Sequence, residues 1–280
     1  MNITRLDLDG VGSPTGLAAR IFELEPGLTV PIPLEALCER LDIFSIDYLH
    51  TEGFAAALIT DEVKSSGAIL VANGQSNRRR RFSIAHELGH FLIPTHRTPA
   101  GAHLLCSEEQ LHLSDTKDKD HRRRMEAEAN RFAASLLMPT KVLTAELRQI
   151  RIPQIIDIIR LATLFDVSKG AMARAYVEFS REAVAIVVIS SGRVSHHYRN
   201  DRKFPWIAVS SGNAVPDESI YHDGPCPPGK ITQVEECEPE LWLGPSGTRK
   251  VEVLTEQVLH QENGFALIML HAEILDVDDR

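Results

Sequence analysis

The chain has 280 residues, 43% of them hydrophobic and 25% charged, the balance of an ordinary globular protein with room for about two or three domains. No apolar run approaches the ~18 residues of a membrane span, and the start of the sequence lacks a basic-then-apolar leader, so no membrane partner and a cytoplasmic location are expected. The formal net charge of −9 disfavours direct DNA binding and suits a basic protein partner.

In chain order, Thr15 offers an N-cap for a first helix ending at Leu24, and a second helix is expected over Leu34–Leu41, after Pro31 and Pro33. Phe54–Asp61 and Gly67–Asn73 read as two strands joined by a turn at Lys64–Gly67. Gly74–Asn77 breaks the second strand and offers Asn77 as the cap of the next helix. In that helix Ile84, Leu88, Phe91 and Leu92 recur at i, i+4, i+7 and i+8, an apolar stripe opposite His86 and His90. Pro94 ends the helix near Ile93, and Gly89 leaves space for another element or a substrate backbone to approach. The run Arg78–Arg81 reads as a solvated face with surface ion pairs, the alternative being a dock for an acidic or phosphorylated surface.

His86, Glu87 and His90 form an H-E-x-x-H pattern, in which two imidazoles four apart on a helix reach one ion while the carboxylate stays free to handle a water. A catalytic zinc takes three protein ligands, so a third must come from elsewhere. Met125–Pro139 reads as an alanine- and leucine-rich helix stopped by its proline. With Glu126 at 0°, helical steps of about 100° place Ala129, Asn130, Ala133 and Leu137 within about 60° of it and Glu128 near 200°, on the polar face. Glu126 is thus a carboxylate on a buried face, where a cation must pair with it, and it is the candidate third ligand. Glu128 is the fallback ligand, should the helix be rotated by half a turn. Asn130 is a candidate to accept from the distal N–H of a ligating histidine, with a bond to a nearby backbone group as the ordinary alternative.

Arg81–His90, followed by Glu126-x-Glu128-Ala-Asn130-x-Phe132-Ala and the Leu-Leu-Met-Pro139 stop, resembles the ImmA/IrrE family of bacterial and phage metallopeptidases over residues from about 65 to 140. The resemblance implies a gluzincin-like site with zinc on His86, His90 and Glu126 and with Glu87 as general base. It also implies a substrate, a helix-turn-helix repressor of the XRE type encoded nearby, whose cleavage relieves repression in stress responses or mobile elements. Residues 95–124 are long and charged and depart from the family pattern, which leaves the shape of the substrate cleft open.

Residues 107–122 carry few apolar anchors and are expected to form a loop or an exposed helix; His96, His103, His112 and His121 lie in or near this stretch and are candidates to donate to an oxyanion. Beyond Pro139, helices are expected from Thr140 to Arg151, over Gln154–Phe165 and, after a short turn at Asp166–Ser168, on to Phe179, the last two in a helix-turn-helix-like pair. A DNA-reading helix wants Arg, Asn or Gln near its start; this one offers Lys169, Arg174 and small apolar residues, which favours packing or partner contact. Short β-type runs follow at Ala183–Ile189, Val194–Tyr198, Trp206–Val209, Lys250–Leu254 and Phe265–Leu275. His196 and His197, adjacent on a strand, face opposite ways and cannot share an ion. Cys38, Cys106, Cys226 and Cys237 lack C-x-x-C spacing and read as free thiols.

The fold expected is α+β: a zincin-like peptidase core with a small sheet over 1–140, a helical, helix-turn-helix-like segment over 141–181, and a mostly antiparallel β-rich sensor or docking domain over 182–280, where one family branch carries a GAF-like domain. The expected function is zinc-dependent cleavage of a protein partner. The alternative is a DNA-binding or antitoxin-like regulator with a structural or vestigial metal site.

Overall fold

Ser13 accepts a hydrogen bond from the Gly16 N–H, and Pro14 takes the first helical position, so α1 (Pro14–Leu24) starts one residue before the expected Thr15 and buries Leu17, Ala18 and Ile21. In the computed structural model, residues 1–51, 54–97, 104–106, 121–224 and 227–275 are described. The chain divides into two compact units, Met1–Val142 with Thr163–Ser168, and Leu143–Ala162 with Lys169–Arg280. Helices and two separate sheets make it an α+β protein. Among the described residues no helix is long and apolar enough to cross a membrane.

In the first unit α2 (Leu34–Arg40) leads into β1 (Ile43–Leu49), β2 (Ala56–Thr60) and β3 (Gly67–Ala72). With β4 (Leu104–Cys106) these strands form a sheet in the order β1-β3-β2-β4, in which β1 runs parallel to β3 and the other pairs are antiparallel. The sheet supports α3 (Asn77–Leu92) and is followed by α4 (His121–Leu137), which packs on α3 and α1. A side chain on Gly67 would meet Ile43 at 2.9 Å and the Phe91 ring at 3.2 Å, so glycine there lets the apolar side of α3 lie against the sheet. The cap of α3 is Ser76, whose hydroxyl accepts from the Arg79 N–H; Asn77, expected as cap, is the first helical residue and donates its side-chain amide to Asp166 at 3.2 Å.

The basic run before the motif is structural. Arg78 and Arg81 pair with Asp166 at 3.4 and 3.2 Å, and Arg80 stands over the Tyr48 ring. Asp166 has φ +50, a left-handed turn conformation that aspartate tolerates, and its carboxylate is enclosed by Asn77, Arg78 and Arg81.

α5 (Thr140–Leu147) is shorter than expected, and α6 (Ile155–Leu164) and α7 (Lys169–Phe179) follow one another with residues 165–168 between them. In the second unit β5 (Ala183–Ser190), β6 (Arg193–Arg199), β7 (Glu235–Glu236), β8 (Val251–His260) and β9 (Phe265–Ile274) make an antiparallel sheet in the order β6-β5-β9-β8-β7. β5 is a nearly continuous apolar run because both its faces are covered, by α7 and by a core around Phe204, Ile207 and Trp242. The expected strand at Trp206–Val209 is only an isolated bridge from Ile207 to Leu243. β8 extends through the polar residues Glu256 and Gln257, which are buried: Ser219 donates its hydroxyl to Glu256, and Gln257 accepts from the Ile155 N–H at 2.8 Å. The short four-residue helix α8 (Pro245–Thr248) precedes β8. Cys38 and Cys237 are free thiols, as read. The loop expectation for 107–120 and the candidates His103 and His112 lie outside the described residues, as do Cys226 and the side chain of Cys106.

Candidate metal centre

The helical spacing of α3 puts His86 and His90 one turn apart, and α4 lies over them. The expectation of histidines on a face apart from the core is corrected here: His86, Glu87 and His90 are all completely buried, because α4 covers that side of α3. The close approach comes from Gly89. A Cβ at this position would stand 2.9 Å from the Phe132 ring of α4, so it is a neighbouring helix that uses the space which the glycine leaves.

On α4 the angular reading of the two carboxylates matches the structure. Glu126 is 1% exposed and turns its Oε2 to within 3.2 Å of His86 Nε2 and 3.4 Å of His90 Nε2, and the two imidazole nitrogens are 3.0 Å apart. For an ion with tetrahedral bonds of about 2.0–2.1 Å, adjacent donor atoms stand about 3.3 Å apart. The three donors therefore form a triangle of the size of one face of a zinc tetrahedron, and together they are a group able to hold a metal ion. His86 Nδ1 lies 2.8 Å from Asn130 Oδ1, so its distal N–H donates to the amide and its Nε2 is left for the centre.

Electrostatics agree with neutral imidazoles facing a carboxylate. Burial pushes His90 down to about 4, against the opposing pull of Glu126. Burial also works to raise the Glu126 carboxyl, but the His86 and His90 imidazoles beside it outweigh this and hold the group well below the usual carboxylate range. A neutral imidazole and an ionised carboxylate are the forms that bind a divalent cation.

Glu128, the fallback ligand, is not in this triangle. Its Oε2 lies 3.0 Å from His96 Nε2, and His96 Nδ1 lies 3.0 Å from His90 Nδ1. His96 is completely buried and is pushed down to about 3, first by burial and then by His90. As a candidate oxyanion donor it is already engaged on both ring nitrogens, whereas His121 is exposed at the start of α4. In the sequence Lys64 stands only as the first residue of a turn. It has φ +52, and its ammonium donates to the carbonyls of His90 at 2.7 Å and Ile93 at 2.9 Å, satisfying the end of α3; burial pushes it down to about 8. A cation in a turn that precedes the helix by over ten residues carries no local signal of that task.

A helix bearing two buried imidazoles and a buried carboxylate, packed on a second helix that brings a third donor, is a metallopeptidase-like arrangement. The particular kinship comes from sequence: the model of the IrrE N-terminal-like domain, Peptidase_M78, matches residues 101–176, so that stretch of the chain is similar to a metallopeptidase-like domain of the IrrE type. The match takes in Glu126 and Asn130 and begins after His90; it is the fold that joins the two parts. A solved structure described as a Mycobacterium tuberculosis transcriptional regulator shares the fold, at 15% identity with a TM-score of 0.55, covering 94% of this chain and 88% of that one. No curated protein matches the chain.

Proposed function

We propose that the protein is a zinc-dependent endopeptidase that cleaves a protein partner, a helix-turn-helix repressor of the XRE type encoded nearby, and so relieves repression in the cytoplasm. The observation that carries the hydrolytic reading is the donor triangle of His86, His90 and Glu126 beside the buried Glu87. Zinc held there supplies Lewis acidity, which acidifies an attacking water and polarises the scissile carbonyl. His86 and His90 keep their Nε2 lone pairs for the centre, and Glu126 brings the negative charge that balances the cation. Asn130 holds His86 in its tautomer. Glu87 follows His86 on α3 and lies outside the triangle; its carboxylate takes a proton from the water and returns it to the leaving amine. In this reading residues 1–140 carry the hydrolytic site, 141–181 a helical segment, and 182–280 serve sensing or docking.

The repressor as substrate is supported by the family resemblance and by a net charge of −9, which suits a basic DNA-binding module. Co-expression with the neighbouring repressor-like protein tests it. The wild type is expected to shorten the repressor, and Glu87→Gln to abolish shortening while zinc binding persists; a Glu87→Gln protein that still cleaves removes Glu87 from this role. The second reading, a DNA-binding or antitoxin-like regulator, draws on the description of the structural neighbour as a transcriptional regulator and on the α6–α7 pair. A gel shift with promoter DNA at physiological salt separates the two.

A further inference from the structure

The two imidazoles of the triangle are anchored differently. His86 Nδ1 ends on a neutral amide, that of Asn130. His90 Nδ1 ends on a second imidazole, His96, whose other nitrogen meets the Glu128 carboxylate. Tautomers follow from the order of these groups. The carboxylate can only accept, so His96 Nε2 carries a proton and donates it to Glu128. Neutral His96 then has an acceptor at Nδ1, and His90 Nδ1 must be the donor to it. This leaves the lone pair of His90 on Nε2, the atom that faces Glu126 and His86.

His96 reaches this place because α3 stops at Pro94 and the chain folds back at once, with the His96 N–H bonded to the Ile93 carbonyl at 3.2 Å. Glu128 reaches it from α4, two residues beyond Glu126, so the same helix supplies one carboxylate to the triangle and one to the outer chain.

We propose that His96 and Glu128 are positioning residues, a carboxylate–imidazole relay that locks His90 with Nε2 toward the metal and passes negative charge to the centre. The relay rests on the metal-centre reading above and deepens it. It fixes the tautomer and the rotation of His90 together, and hydrogen bonding to an anionic chain makes the ligand more basic. Asn130 does only the first of these for His86, so the relay side of the site contributes more to holding the cation.

The test is zinc affinity, measured by chelator competition on the full chain, with melting of the metal-free protein alongside. Glu128→Gln keeps the side chain's size at a position 26% exposed and is expected to fold normally, yet to weaken zinc binding roughly 10–100-fold. His96→Gln is expected to weaken it at least as much. The double variant should bind zinc no more weakly than His96→Gln alone, because a relay cut at its middle has nothing further to lose at its end. Cobalt-loaded variants should show an altered visible spectrum, which a loss confined to packing would not produce. If Glu128→Gln binds zinc as the wild type does, or if the two losses multiply in the double variant, the relay is overturned while the metal centre stands. A wild-type chain that fails to bind zinc overturns both.

Discussion

Substitution of Gly89 by alanine sets two well-measured effects against each other at the centre of the site. Helix propensity alone makes the change stabilising by about 1 kcal/mol, since Gly89 lies inside α3. The added methyl, however, would stand 2.9 Å from Phe132 Cδ1 and 3.3 Å from its Cβ and Cγ, and Phe132 is completely buried, so the ring cannot swing into solvent. Overpacking of this kind costs about 1–3 kcal/mol. The net expectation is a loss of about 0–2 kcal/mol by urea unfolding of the metal-free protein. Because Phe132 shares α4 with Glu126, the methyl also presses a ligand away from its partners, and zinc affinity should fall with stability. Phe132→Leu in the Gly89→Ala background makes room for the methyl, so the pair should be less destabilised than the two single changes summed. A Gly89→Ala protein that gains the full propensity benefit and binds zinc unchanged would refute the argument that this close contact sets the geometry of the site.

Asp166→Asn retains a residue that tolerates φ +50 but removes the charge that pairs with Arg78 and with Arg81, the latter only 13% exposed; a loss of about 1 kcal/mol is expected, and an unchanged urea midpoint would mean that the arginines find other partners. The metal-free protein should lose stability as pH falls from 6.5 towards 4, because unfolded imidazoles take up protons near 6.5 while folded His90 and His96 resist until about 4 and about 3. Glu256 works the other way: burial raises its carboxyl above the usual 4.5, so its contribution falls as pH rises past that value, and Glu256→Gln should remove this part of the pH dependence. Melting curves across pH for the wild type and Glu256→Gln check both signs.

The parts of the molecule legible in the sequence are those where one local pattern has one meaning. The stripe on α3, the alanine-rich α4 and the apolar runs of β5 and β9 are periodic enough to declare themselves, and the angular argument on α4 picks out Glu126 over Glu128. β1 went unread because it is an edge strand with Ser45, Asp47 and a bulge between Ile43 and Ser45, which breaks the alternation. β8 appeared to stop at Leu254 because Glu256 and Gln257 look like loop residues; their partners, Ser219 and the Ile155 N–H, are 37 and 102 residues away. The caps of α1 and α3 were each misplaced, since serine, threonine and asparagine stand within two residues of one another and only the geometry selects among them. His96 and Glu128 illustrate the same limit at the site: each is a candidate by itself, 32 residues apart, and only folding brings them into contact.

α3 and α4 meet where the backbone of Gly89 lies against the buried Phe132 ring, an apolar contact that needs no ion to take its place. The architecture is therefore self-supporting, unlike small zinc modules whose fold collapses on chelation. Under the proposed hydrolytic reading, a change at Glu87 alone silences cleavage and leaves the scaffold intact, so that within such a lineage cutting and non-cutting members would be nearly superimposable.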